Sequence, residues 1–163
     1  MQVTLKPMDQ NHRQKVMDIF NYYIENSFAA YPERTLPVEF FERFLEMSRL
    51  YPAIVAEDED GVILGFGMLR PYNPMPVFAR TAEITYFIKP EATGRGIGKM
   101  MLDYLIEEGK KKGVATILAG ISSLNPGSIN FHARNGFTEC GRLKEVGKKK
   151  DQLFDVVYMQ RMV

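Results

Sequence analysis

A short glycine-rich segment near the middle of the chain has the composition of an anion-binding loop. It follows an apolar run ending at Ile88 and reads Gly94-Arg95-Gly96-Ile97-Gly98-Lys99. Glycines let a backbone approach a ligand closely, and the free N–H groups in the first turn of a helix attract phosphate. Because two side chains of the segment add positive charge, it predicts a site for a phosphate or pyrophosphate.

Two better-known phosphate loops do not fit this segment. A Walker A loop requires Ser or Thr after its lysine, and Met100 stands there. A dinucleotide fingerprint has the spacing G-x-G-x-x-G/A near the start of a βαβ unit, whereas this pattern is G-x-G-x-G and lies past mid-chain. The remaining alternatives are a different phosphate-bearing ligand, or an ordinary strand-to-helix turn that happens to need glycine.

Two other side chains could move protons. Glu83 opens an otherwise apolar strand-like run, and a partly buried carboxylate there could act as a general base for an amine. Taken alone, such a glutamate is more often a solvated or paired surface group. His132 lies on a short predicted helix, where a lone histidine is usually a packing residue. The only other histidine is His12, and few ligands cluster near either, so no metal site is predicted.

Composition excludes several classes of protein. The chain has 163 residues, 21 Lys+Arg and 20 Asp+Glu, and a net charge of +1, which argues against a nucleic-acid binder. One cysteine excludes a disulfide framework or a multi-cysteine metal cluster within the chain. Its apolar runs are far shorter than the roughly 18 residues of a membrane span, and no secretory signal is visible. We therefore expect a soluble, cytoplasmic protein with no membrane partner.

The positions of the apolar residues predict the order of the elements. Helical stripes run from about Asp9 to Asn26 and onward from Pro37, and the clearest helix follows the glycine-rich segment and ends near Gly113. A further short helix begins at Asn125-Pro126. Alternating or β-branched runs separate these helices. The pattern predicts one α/β (α+β) domain over residues 1–163, with the order β-α-α-β-β-β-α-β-α-β-β and a mixed sheet of about seven strands with flanking helices.

Two features near the end of the chain are interpreted as structural. Cys140 lies within a predicted strand and has no His or Asp pattern around it, so it is assigned to the core. The charged segment 144–151 contains Lys148-Lys149-Lys150 and is interpreted as a solvated turn.

Together these motifs resemble the GCN5-related N-acetyltransferase (GNAT) superfamily, and most closely its phosphinothricin and methionine sulfoximine acetyltransferases. The resemblance covers nearly the whole chain. It rests on the glycine loop before a helix and on several other stretches, among them Tyr51-Pro52-Ala53-Ile54-Val55-Ala56-Glu57, Asn125-Pro126-Gly127-Ser128 and His132-Ala133-Arg134-Asn135-Gly136-Phe137. It implies a GNAT-like fold whose loop binds the pyrophosphate of acetyl-CoA, used as co-substrate with no metal.

The resemblance also assigns roles to individual residues. Glu83 falls on the proposed general base, and His132 falls on an active-site histidine that assists proton transfer or binds the acceptor. The strand carrying Glu83 splays from its neighbour in this superfamily and offers backbone amides to the cofactor. The positions implied to bind acetyl-CoA are Tyr86, Phe87, Ile88, the loop from Gly94 through Arg95, Gly96, Ile97 and Gly98 to Lys99, and then Asn125 and Ser128.

The chain departs from the family pattern in three places. Thr93 stands where the loop usually has Gln or Arg, which removes one side-chain contact to the phosphates. Phe137 lies near a position that often holds a tyrosine acid, so no general acid is assigned. In the substrate loop, Asn73 and Met75 replace a Lys and an Arg that bind an anionic acceptor, and Arg80 is a hypothetical substitute.

The sequence therefore predicts an acetyl-CoA-dependent N-acetyltransferase. Acetyl would pass directly to the primary amine of a small molecule, such as an amino acid or an analogue like phosphinothricin or methionine sulfoximine. The alternatives are acetylation of a protein N-terminus or lysine, and a CoA-binding module without catalysis. The resemblance further implies a homodimer.

Overall fold

The computed structural model describes residues 2–163, and these form one mixed sheet flanked by helices. The order of strands and helices predicted from the sequence is confirmed. The elements are β1 Val3–Pro7, α1 Arg13–Asn26, α2 Phe41–Met47, β2 Ala53–Asp58, β3 Ile63–Pro71, β4 Thr81–Ile88, α3 Ile97–Lys111, β5 Thr116–Ser122, α4 Pro126–Arg134, β6 Thr138–Lys149 and β7 Gln152–Met162.

The seven strands lie in the order β1-β2-β3-β4-β5-β7-β6. Neighbouring strands are antiparallel except for β4 and β5, which are parallel. A parallel pair needs a crossover connection, and α3 supplies it. Strands β1 to β4 lie in chain order on one side of this pair, and β5, β7 and β6 lie on the other, so the parallel pair is the seam between the two halves of the sheet.

The helices cover the two faces of the sheet with separate hydrophobic clusters. Helix α3 packs on one face against alternate residues of the central strands, such as Ala82, Ile84 and Ile117. Helices α1 and α2 pack on the opposite face, where Phe66 and Met68 of β3 meet them. Because successive strand residues point to opposite faces, each strand residue can be assigned to the α3 face or to the α1 face.

Two helix starts differ from the sequence prediction in detail. Asp9 is the N-cap of a 3₁₀ turn, Gln10–His12, and α1 begins only at Arg13. Pro37 adopts an extended conformation before a second 3₁₀ turn, Val38–Phe40, and α2 starts at Phe41. Both starting signals were located correctly, but each initiates a tighter turn before the α-helix.

The predictions for Cys140 and segment 144–151 are wrong. The Cys140 side chain is exposed. Strand β6 continues through most of the segment as far as Lys149, and the turn is confined to Lys150 and Asp151, whose φ angles are 52° and 60°. Lys149, the last residue of β6, is 1% exposed, so the middle lysine of the charged run is buried.

Candidate active site

The glycine-rich segment forms the start of α3. Gly94 and Gly96 have φ angles of +75° and +83°, in the left-handed region that favours glycine. Gly96 is the N-cap of α3, and a glycine brings no side-chain oxygen to accept from the first-turn amides. The N–H groups of residues 97–99 are therefore oriented for an external anion.

The side chains around this turn are exposed. Lys99 Nζ lies 2.7 Å from Asp103 Oδ2, and both side chains are more than half exposed. An exposed ion pair of this kind contributes little stability, so Lys99 can exchange this partner for a phosphate. Thr93 Oγ1 donates to the carbonyl of Pro90 at 2.8 Å, which places its hydroxyl in the local turn.

An opening separates β4 from β5. The two strands pair only through residues 81–83 and 116–118, whereas β4 stays paired with β3 as far as Ile88 and β5 stays paired with β7 as far as Ser122. The splay expected from the resemblance is thus present in the structure. Beyond Glu83 the edge of β4 that faces β5 has no ladder partner.

The backbone direction of β4 alternates along this opening. The amide of Lys89 donates to the carbonyl of Leu64 on β3 at 2.8 Å. In an antiparallel ladder, alternate residues point their N–H groups to opposite sides. The amides of Tyr86 and Ile88 therefore point into the opening, and the amide of Phe87 points towards β3.

Helices α3 and α4 meet at this opening. Gly98, in the first turn of α3, lies so close to Phe131 of α4 and Ile88 of β4 that an added Cβ would be 3.4 Å from each. At the start of α4, Asn125 Oδ1 accepts from the amide of Ser128 at 3.3 Å. The start of α3, the unpaired edge of β4 and the start of α4 thus lie side by side, an arrangement that could hold a phosphate-bearing ligand with an extended arm.

His132 is buried behind this surface, with both ring nitrogens engaged. Its Nδ1 lies 2.7 Å from the carbonyl of Ser128, so Nδ1 carries the hydrogen. Its Nε2 then accepts from the Tyr86 hydroxyl at 2.7 Å. Burial lowers the pKa of His132, against a smaller opposing effect of the Ser128 carbonyl, and burial raises the pKa of Tyr86. The pair is therefore uncharged at neutral pH.

We expect the neutral state of His132 to make stability depend on pH. Its pKa is lower in the folded chain than the ordinary value of about 6.5, so below that pH the unfolded chain binds more protons and stability falls. When the pH is lowered from 7.5 to 5.5, the melting temperature should fall further in the wild type than in His132→Gln. Equal losses in both proteins would contradict the assignment.

Glu83 points to the other face of the sheet, where it forms an ion pair. The residues opposite one another in the β3–β4 ladder include Arg70 and Glu83, and Arg70 Nη2 lies 2.8 Å from Glu83 Oε2. Their side chains are 34% and 15% exposed. The structure thus places Glu83 on the α1 face and His132 on the α3 face, and it does not bring the two predicted catalytic residues together.

Two tyrosines stand near Glu83 on the α1 face. The Tyr158 ring lies over Gly120, where an added Cβ would be 3.3 Å from the ring. Burial raises the pKa of Tyr31, and nearby Tyr158 and Glu83 raise it further while Arg70 lowers it. Tyr31 thus lies within electrostatic range of Tyr158, Glu83 and Arg70, and the four side chains form an aromatic and partly charged patch on the α1 face, the Glu83 patch.

The predicted substrate residues lie on the loop before β4. Asn73 Oδ1 accepts from the amide of Met75 at 2.9 Å, so the asparagine stabilises its own turn. Met75 is 54% exposed, and Arg80 is also exposed, with its carbonyl accepting from the amides of Ala115 and Thr116. Sequence reasoning missed Arg70, although the hairpin register that places it opposite Glu83 could have indicated it.

Two kinds of feature are absent from residues 2–163. No helix there combines the length and apolarity that a membrane span needs. The same residues contain no group of three or more His, Cys, Asp and Glu side chains that could hold a metal ion.

Comparisons with known proteins agree on one family. The model of the Acetyltransferase (GNAT) family matches residues 16–137. An L-methionine sulfoximine/L-methionine sulfone acetyltransferase of Pseudomonas paraeruginosa is 32% identical over 149 residues, 89% of this chain and 86% of that protein.

Two solved structures are similar over nearly the full chain. A GNAT superfamily phosphinothricin acetyltransferase from Sinorhizobium meliloti, in complex with AcCoA, has a TM-score of 0.94 and 28% identity, covering 100% of this chain and 89% of that one. A ribosomal-protein-alanine N-acetyltransferase from Brucella melitensis has a TM-score of 0.91 and 31% identity, covering 98% and 99%.

Proposed function

Because the chain belongs to the GNAT acetyltransferase family, we propose that it transfers acetyl from acetyl-CoA to the primary amine of an amino acid or a close analogue. The observation that carries this proposal is the splayed β4–β5 seam, which joins the phosphate-binding turn on one side to Glu83 on the other. A thioester in the seam would be reachable by an amine bound on the α1 face.

Chemical roles follow from this placement. Acetyl-CoA supplies the activated acetyl group. The first-turn amides of α3 would hold its pyrophosphate, with Arg95 and Lys99 beside them. The amides of Tyr86 and Ile88 point along the path of the arm, and one such N–H can stabilise the developing oxyanion. Glu83 would take the proton that the protonated amine must lose before it can attack. The amine then bonds to the acetyl carbon as the carbon–sulfur bond breaks, and its second proton passes to the thiolate of the departing coenzyme A.

We favour a small acceptor over a protein acceptor. The Brucella melitensis relative is named for a protein acceptor, the alanine of a ribosomal protein. Tyr31 of the Glu83 patch is held in place because its ring stacks on Phe154 of β7, with centroids 5.6 Å apart. A fixed aromatic ring and an ion pair beside the proposed base support an acceptor of small size. We further propose, on the resemblance alone, one N-acetyltransferase domain over residues 1–163 that works as a cytoplasmic homodimer.

Binding of acetyl-CoA should stabilise the protein. At about 100 times its dissociation constant a ligand adds about 2.7 kcal/mol, which for a chain of this size raises the melting temperature by roughly 5–10 °C. Thermal unfolding with and without acetyl-CoA measures this, and a nucleotide lacking the pantetheine arm serves as the comparison ligand. No shift at saturating acetyl-CoA would contradict the cofactor assignment.

A further inference from the structure

The family pattern assigns no cation of this chain to the binding of the acceptor. Asn73 and Met75, at the two loop positions where the resemblance expects cations, are uncharged. The cation that the structure places beside Glu83 is Arg70, at the end of β3.

Two contacts fix the orientation of the Arg70 guanidinium. Nη2 pairs with Glu83 at 2.8 Å, and Nε donates to Thr85 Oγ1 at 3.1 Å. A guanidinium carries five N–H donors in one plane, and these contacts use only two. The Arg70 side chain is 34% exposed, so a ligand in solution can reach its remaining donors. A planar carboxylate is the ligand that such a fork binds best.

Charge balance selects the kind of molecule that suits this pair. Arg70 and Glu83 together carry no net charge, and the zwitterion of an α-amino acid carries none either. Its ammonium group matches Glu83, and its carboxylate matches Arg70. A simple amine would instead bring one positive charge beside Arg70, with no carboxylate to occupy the remaining guanidinium donors.

The surroundings limit the acceptor side chain. Tyr31 lies within electrostatic range of both side chains of the pair and of Tyr158. Arg80, the other cation considered, lies exposed next to the β4–β5 backbone pairing. An acceptor with a second negative charge would therefore find aromatic surface where it needs a cation, whereas a neutral side chain would pack there.

We propose that Arg70 binds the α-carboxylate of a zwitterionic amino acid with an uncharged side chain while Glu83 receives its amine. This inference rests on the proposed N-acetyltransferase function and adds the specificity-determining residue and the substrate class. Arg70 would then have two roles, holding Glu83 in place before the acceptor arrives and anchoring the acceptor afterwards.

The test compares kcat/KM for L-methionine sulfone with kcat/KM for the decarboxylated analogue of the same molecule. Hydrogen bonds to charged groups contribute enough to separate the two by about 100-fold in the wild type. In Arg70→Met this ratio should fall to within a few-fold of one, and Arg70→Lys should restore part of it. Lys6→Met, which removes a cation paired with Glu57 at the far edge of the sheet, should keep the wild-type ratio.

The outcomes separate the inference from the function on which it rests. If the wild type acetylates both amines equally well, or if Arg70→Met keeps the ratio, Arg70 is not the anchor and the acetyltransferase function stands. If the wild type binds acetyl-CoA but acetylates neither amine, the proposed acceptor class and the inference both fall. Should Arg70→Met not fold, Arg70→Lys decides the question, since a ratio several-fold below that of the wild type supports the anchor and an unchanged ratio overturns it.

Discussion

Replacing Glu83 with glutamine should lower kcat at neutral pH by about 100-fold or more, the usual range for loss of a general base. An amine is mostly protonated near pH 7 and must lose that proton to attack a thioester. Glutamine keeps the size of the side chain and can still accept a hydrogen bond from Arg70, but it cannot accept the proton. The acetyl-CoA affinity should stay unchanged, because Glu83 lies on the opposite face of the sheet from His132 and α3.

A matched control for this substitution is Glu57→Gln. Glu57 is also a strand carboxylate in a cross-strand ion pair, 2.8 Å from Lys6, but it lies on β2, away from the seam. Its turnover should equal that of the wild type. Steady-state kinetics across pH 6–9 would compare the variants, and undiminished turnover in Glu83→Gln would remove this residue as the base.

A large loss of stability is expected on replacing Lys149, whose side chain links the β6–β7 hairpin to the end of α1 by hydrogen bonds. Its Nζ donates to three carbonyls, those of Ile24 at 2.7 Å, Ser27 at 2.7 Å and Ala30 at 2.6 Å. An ammonium group has three donors, so all are satisfied. Burial lowers the pKa of this lysine, and the charge of Lys150 lowers it further. The negative end of the α1 dipole favours a cation at this place.

Lys149→Met should destabilise the protein by about 3 kcal/mol, because it leaves several buried carbonyls without donors. For a chain of this size that corresponds to a fall of roughly 6–12 °C in the melting temperature. Lys148→Met is the control. The Lys148 side chain is exposed, so its replacement should change the free energy of unfolding by less than about 0.5 kcal/mol. Equal melting temperatures for the two variants would show that the three hydrogen bonds contribute nothing net.

The same contacts connect the β6–β7 hairpin to the Glu83 patch. The carbonyls that Lys149 binds belong to the end of α1 and to the segment immediately before Tyr31, and Tyr31 stacks on Phe154 of the same hairpin. Gly147 makes room for this arrangement, since an added Cβ there would overlap the Phe154 ring. The position of Tyr31 in the Glu83 patch therefore depends on the stability of the hairpin.

Features that depend on local pattern could be predicted from the sequence. The order of strands and helices follows from apolar periodicity and turn residues, and the turn that opens α3 follows from Gly94 and Gly96 ahead of a strong helix. Such signals lie within a few residues of one another. The β4–β5 splay was available only through the family resemblance, because the end of a ladder leaves no mark in composition.

Features that depend on distant partners could not be predicted. Lys149 belongs to a run of three lysines, and a solvated turn is the ordinary interpretation of such a run. Its acceptors lie 119–125 residues earlier in the chain, and strand alternation turns only the middle lysine inward. The position of His132 behind Tyr86, on the face opposite Glu83, likewise depends on how α4 packs against the sheet.

Direct acetyl transfer to the amine of a small amino acid can be observed in a single assay. The protein is mixed with acetyl-CoA and L-methionine sulfone, and thiol release is followed while mass spectrometry identifies the product. We expect thiol release that requires the amine, with one N-acetylated amino acid formed per CoA. A peptide with an N-terminal alanine should react far more slowly. Faster acetylation of the peptide, or thiol release without an N-acetyl product, would contradict the account.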